Sequence, residues 1–291
     1  MLVLNGMIGA GIFALPSVVA ANAGILSPWL FLATSVLFMT VVLAFAELSS
    51  YFRQSGGPVL YATTAFGPLV GFSTGWMYYI SRSVPLAANS HVMATYLGAL
   101  WPWLGTGVGR QLVITTIIGG LTVINVLGVK SGVRALIYFT FLKVIPLAVM
   151  IIQGLQYFAP ELVVPSSLPD IDDLGGTVLL MLYAFIGFET VLITAGETAN
   201  PRSTIPRTMI FTVIATGLLY FLVMLVYNLV LPGVADPDAT LLDVGRVLAG
   251  PAGVFAVTLT AIFSIGGSLS SMMLAGPRLT FALAEQKLLP G

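Results

Sequence analysis

Gly6-Met7-Ile8-Gly9-Ala10-Gly11-Ile12-Phe13 sits inside an apolar run that opens at Met1. A helix in lipid must satisfy every backbone N–H and C=O from within itself. Three glycines in six residues weaken such a helix, and Pro16 follows closely. Opening the helix here frees backbone groups at membrane depth, which is tolerated only where they line a protected cavity. The stretch therefore predicts a helix that breaks in mid-membrane and offers its own backbone to a solute.

The rest of the chain supplies the membrane. Of 291 residues, 58% are hydrophobic and 8% charged, against about 25% charged in soluble domains. A polytopic membrane protein in contact with the lipid bilayer follows. Formal net charge is zero and cysteine is absent. The first gives no basic surface for nucleic acid; the second excludes disulfides, thiolate chemistry and Cys-ligated metals. One histidine, His91, cannot build a His-rich metal site. No metal or other cofactor is expected. No Lys or Arg precedes the first apolar run, so a cleaved signal peptide is not expected.

A spanning helix needs about 20 mainly apolar residues. Eight such segments read as 2–21, 29–52, 67–99, 110–128, 132–157, 175–198, 207–231 and 251–284. Loops after even-numbered segments carry Arg53, Lys130, Arg134, Arg202, Arg207 and Lys287, with Arg278 nearby. Loops after odd segments carry Arg110 and Arg246 and seven acids: Glu161, Asp170, Asp172, Asp173, Asp236, Asp238 and Asp243. The positive-inside rule then places the even loops and the N-terminus in the cytoplasm. Between Gly57 and Gly67, residues 59–65 read equally as a short interfacial helix or a linker. Asn200 to Arg207 reads as a turn, with Pro201 and Pro206 stopping helices.

Segment six carries a second weak point, Tyr183-Ala184-Phe185-Ile186-Gly187-Phe188-Glu189-Thr190. Segments one and six lie five apart and so cross the membrane in opposite senses. Paired interruptions in two oppositely oriented halves point to an inverted-repeat transporter with its site near the midplane.

These two stretches resemble signatures of the amino acid–polyamine–organocation (APC) permeases. The first resembles that family's IGxGIF motif. Phe185 to Glu189, then Glu197-Thr198-Ala199-Asn200-Pro201-Arg202 and Ile205-Pro206-Arg207, resemble its FxGFE and NPxxxIPR stretch. Leu142-Lys143-Val144-Ile145-Pro146 is similar to its fifth-helix lysine region, and Arg278 to Leu289-Pro290 to the end of its eighth helix. The resemblance implies an all-α, LeuT-like inverted-repeat fold with helices 1 and 6 broken. Residues 1–157 would form a first five-helix repeat and 175–291 an incomplete second, within one transmembrane domain. It also implies a multi-pass protein of the cell membrane. That protein would be a secondary active transporter of an amino acid, by symport or antiport, with a proton as a coupling partner. A polyamine or amine carrier, a non-transporting amino-acid sensor and a membrane enzyme remain alternatives, the last without a recognisable catalytic group.

Candidate substrate-binding residues are Met7, Ile8, Gly9, Ala10 and Gly11 at the first break, and Tyr183, Phe185 and Ile186 at the second. Free N–H groups at the start of the outer half-helix suit a carboxylate; tight packing through small residues is the plain alternative. By resemblance, the carbonyls of Met7, Tyr183 and Ile186 would take the ammonium. Tyr183 would also lid the solute, and Ala10 replaces a hydroxyl residue. Leu86 and Ile186 suggest a neutral amino acid. Lys143, deep in segment five, is a functional hypothesis by its cost alone; it either couples transport to protons or struts carbonyls between segments one and eight. Glu189 either serves a gate or proton or bonds the local backbone, and Arg82 pairs with it, pairs with another carboxylate, or contacts substrate. Glu47 reads as a snorkelling or capping residue near a helix end, and His91 as structural.

Overall fold

The computed structural model describes residues 2–52, 54–126, 129–164, 171–193, 195–198, 200–233, 239–285 and 288. Arg53, Asp170, Ala199, Asp236, Asp238, Lys287, Leu289 and Pro290, which bear on the orientation and motif readings, lie outside these residues. So do the side chains of Lys130, Arg134, Asp172, Asp173 and Glu197.

Helices occupy all eight segments. The first is split into α1 (Leu2–Met7), α2 (Gly11–Ala14) and α3 (Pro16–Ala23). Leu15 keeps helical angles, so α2 and α3 form one outer half-helix, interrupted because Pro16 has no N–H. After a 3₁₀ turn come α4 (Ser27–Tyr51), α5 (Pro58–Phe66), α6 (Pro68–Leu100), α7 (Gly107–Val126) and α8 (Val129–Gly154). The sixth segment splits into α9 (Ile171–Phe185) and α10 (Thr190–Ile193), followed by α11 (Pro201–Val230) and α12 (Leu241–Glu285). Among the described residues six stretches are long and apolar enough to cross a membrane, the first of them running from Pro16 to Tyr51. The helix α6 is not among them, although its 33 residues are ample in length. The polar face it carries, Arg82, Asn89 and Ser90, is buried in protein.

One open local reading is decided and another is corrected. Residues 58–66 are a helix, bounded by Gly57 and Gly67 at φ 50° and 88°. Its Tyr61 packs on Phe52 at 4.8 Å, and burial pushes the phenol up to about 12. The region 200–207 is not a turn: α11 begins at Pro201. Proline at the first helical position forfeits an N–H that would be unpaired anyway, and Pro206 removes only one further bond. The eighth segment starts where expected, because Ala249 and Gly250 leave helical geometry just before Pro251.

The two broken segments lie side by side at the centre. Around them α4 packs along α11, and α12 along α6 and α8. Aromatic rings fill the seam: Phe185 meets Phe38 and Tyr220, and Tyr220 meets Phe31. Three contacts give the relative direction of the broken segments. Gly6 abuts Gly187, Gly11 abuts Ala184, and Asn22 donates to Thr177 at 2.9 Å. Numbers rise along one segment as they fall along the other, so the two run antiparallel.

Candidate functional site

Both breaks arise where glycine removes side-chain support. At the first, the helix is interrupted at Ile8 to Ala10, between α1 and α2. At the second, residues 186–189 form a turn in which Gly187 has φ 124°, a conformation that suits glycine. The backbones of Gly6 and Gly187 touch so closely that a Cβ on Gly6 would stand 2.8 Å from the Gly187 carbonyl oxygen.

Between the breaks is a cleft of about 20 Å³, room for roughly one water. Its walls include Met7, Gly9, Ala10, Gly11, Tyr183 and Ile186 from the candidate set. Ile8 and Phe185 do not line it. The Ile8 side chain is buried, and its carbonyl faces α8 and α12 instead. The Phe185 ring belongs to the aromatic seam. Pro85, rather than Leu86, presents α6 to the cleft, with Asn89 one turn on. From α12 come Ser268 and Met272.

A polar chain crosses this wall. Tyr183 donates its hydroxyl to Asn89 Oδ1 at 3.0 Å, and Asn89 Nδ2 donates to Ser268 Oγ at 3.3 Å. Some backbone carbonyls of the breaks are already engaged. The Met7 carbonyl accepts from Gly9 N–H at 3.0 Å and from the Tyr220 hydroxyl at 2.8 Å. That hydroxyl also lies 3.1 Å from the Ala184 carbonyl, so α11 spans both breaks. Ala10, the residue before α2, supplies no side-chain cap, which leaves the first N–H groups of α2 without one.

Lys143 is fully buried and donates from Nζ to the Ile8 carbonyl at 2.6 Å. Ser264 of α12 donates to the same oxygen at 3.1 Å. One turn earlier on α8, Thr140 accepts from Asn5 Nδ2 at 2.6 Å, and the Leu136 carbonyl accepts from that nitrogen at 2.9 Å. Leu136, Thr140 and Lys143 thus form one helical face that holds the first segment at Asn5, just before its break, and at Ile8, where the break begins. Lys143 has no ion pair among the described residues.

Arg82 and Glu189 form a buried ion pair. The other Glu189 oxygen accepts the Gly187 N–H at 2.9 Å. Arg82 Nη2 also donates to the Tyr78 hydroxyl at 2.5 Å, and its guanidinium stands 4.9 Å from that ring's centre. Of the remaining polar residues, Glu47 and His91 are exposed.

Sequence reasoning gave no site role to Ser264, Ser268, Met272, Tyr220 or Asn89. A signal existed for α12: positions 264, 268 and 272 recur every four residues and share a face. Tyr220 left none, since one tyrosine in an apolar helix reads as packing.

The amino acid permease family profile matches residues 1–291. The chain belongs to the amino acid permease family. Over 299 aligned residues it is 28% identical to the serine/threonine exchanger SteT of Bacillus subtilis (strain 168), covering 99% of this chain and 67% of that protein. It is 29% identical over 220 residues to a cadaverine/lysine antiporter of Escherichia coli (strain K12), covering 74% of this chain and 48% of that protein. The chain therefore spans about two thirds of one relative and about half of the other. The chain is thus an all-α, multi-pass membrane protein of the APC permease type.

Proposed function

We propose that this permease carries a small neutral α-amino acid across the cell membrane by alternating access around the cleft between its two breaks. The observation that carries this reading is the pair of antiparallel breaks meeting at Gly6 and Gly187. Helix ends facing one cavity at mid-membrane bind opposite charges by their dipoles. The substrate carboxylate sits on the N–H groups at Ala10 and Gly11, where the outer half-helix starts. Its ammonium sits on carbonyls at the end of α1 and of α9, around Gly6, Tyr183 and Ile186. Its side chain meets Pro85, Asn89, Ser268 and Met272.

The Tyr183–Asn89–Ser268 chain gives a side-chain hydroxyl both donors and acceptors. This agrees with the name of the serine/threonine exchanger among the relatives. The cleft holds little more than one water, so the arrangement described is a closed one, and loading requires the two broken segments to move apart. Lys143, seated on the Ile8 carbonyl, is the group through which a proton drives that movement. The N-terminus lies in the cytoplasm, and the two repeats, 1–157 and 175–291, form one transporting unit with no catalytic role. The amine-carrier reading has the cadaverine/lysine antiporters among the relatives in its favour but leaves the carboxylate-binding break without a task.

The test is exchange in proteoliposomes preloaded with unlabelled serine. Uptake of labelled serine or threonine, dependent on internal amino acid or on a proton gradient, is expected. Uptake of cadaverine with none of any amino acid would overturn the reading.

A further inference from the structure

Arg82 stands one turn from Pro85, and Asn89 lies one turn further along α6, so the three share a face directed at the second break. Pro85 and Asn89 line the cleft; Arg82 continues that face beside it, reaching Glu189. Glu189 is the one buried carboxylate among the described residues. It lies two residues beyond Gly187, whose N–H it accepts, and three beyond Ile186 on the cleft wall. Left alone, such a carboxylate would attract any cationic group brought into the cleft, because charges out of water are weakly screened. Here its charge is already met. The guanidinium in turn keeps Nε and Nη1 buried and without partners among the described residues, an unusual state for arginine nitrogens.

We propose that Arg82 sets the charge selectivity of the site. By neutralising Glu189 beside the cleft, it restricts the permease to amino acids with uncharged side chains and excludes lysine and diamines. Each partner holds a latent preference that the other cancels. Remove the arginine, and Glu189 becomes a receptor for an ammonium on the substrate side chain. Remove the carboxylate, and the spare donors of Arg82 become a receptor for a substrate carboxylate. Specificity built this way acts by rejection as much as by attraction. The inference rests on the reading of the cleft as an amino-acid site.

Thermal stabilisation of the purified chain in detergent by serine, lysine, cadaverine and aspartate tests it. For the unaltered protein, serine stabilises and the three charged probes do not. Arg82→Met is expected to raise lysine affinity by about tenfold or more while serine still binds. The double variant Arg82→Met/Glu189→Gln loses that gain, and Arg82→Lys keeps the original ranking. Glu189→Gln alone is expected to admit aspartate. A purely structural pair would lower stability without reordering the probes. Should Arg82→Met fail to fold, Glu189→Gln and the unaltered protein still decide. An unchanged ranking in folded Arg82→Met or folded Glu189→Gln overturns the inference, as does lysine binding the unaltered protein as tightly as serine. If no amino acid stabilises the unaltered protein, the amino-acid reading itself falls; if serine does and the variants do not reorder the probes, only the role of Arg82 falls.

Discussion

Gly6 and Gly187 meet backbone to backbone, one from each broken segment, with no side chain between them. Gly187 also holds φ 124°, which side-chain-bearing residues rarely adopt. Gly187→Ala therefore faces both strain and a collision with the Gly6 carbonyl. A loss of about 1–3 kcal/mol is expected from the backbone alone. The measured result should be a lower melting temperature together with loss of substrate-induced stabilisation. Gly6→Ala, at a position without the unusual φ, should be milder in stability yet still impair binding.

Tyr220 ties those segments to α11. Its single hydroxyl proton serves the Met7 and Ala184 carbonyls, one from each break. Tyr220→Phe keeps the ring contacts with Phe31 and Phe185 and removes only the oxygen. A cost of about 1–2 kcal/mol is expected, read as a shift in the detergent melting curve. An unchanged curve would show that water replaces the hydroxyl freely and that the bridge carries no stability.

A substitution at Lys143 tests whether coupling separates from binding. Lys143→Met leaves the Ile8 carbonyl its second donor, Ser264, so the break should keep its shape. Substrate affinity is expected to change by less than about tenfold, while gradient-driven uptake is lost. Uptake in the variant that keeps the pH dependence of the unaltered protein would remove Lys143 from coupling and leave it a strut.

The side-chain pocket makes its own prediction. Ser268→Ala removes the acceptor of Asn89 Nδ2 and one hydroxyl from the wall. Preference for serine over alanine should fall by about 5–10-fold, the worth of one buried hydrogen bond. Competition against labelled serine measures it, and an unchanged serine-to-alanine ratio would place the substrate side chain elsewhere.

How far these features were legible follows from their physics. The glycines at 6, 9, 11 and 187 betrayed both breaks, since glycine in a lipid-embedded helix is a cost that needs a reason. Arg82, Lys143 and Glu189 announced themselves as charges where charge is expensive. Their partners were legible only among alternatives: Glu189 for Arg82, local backbone for Glu189 and a carbonyl for Lys143. Nothing local links Asn5 to Thr140, or Tyr220 to Met7, across the fold. Serines on α12 are commonplace in membrane helices, and only their four-residue recurrence hinted at a shared face. The helix starting at Pro201 was misread because proline was taken as a stop, when at a first helical position it is a start.

The central claim is that the first break binds a carboxylate. The most direct measurement is thermal stabilisation of the purified chain by the common amino acids, their amides and their decarboxylated amines, side by side. A ligand that binds only the folded state must raise its stability. The account predicts that serine or a close relative stabilises the chain while its amide and ethanolamine do not. Equal stabilisation by the amines would contradict it and remove the carboxylate from the first break.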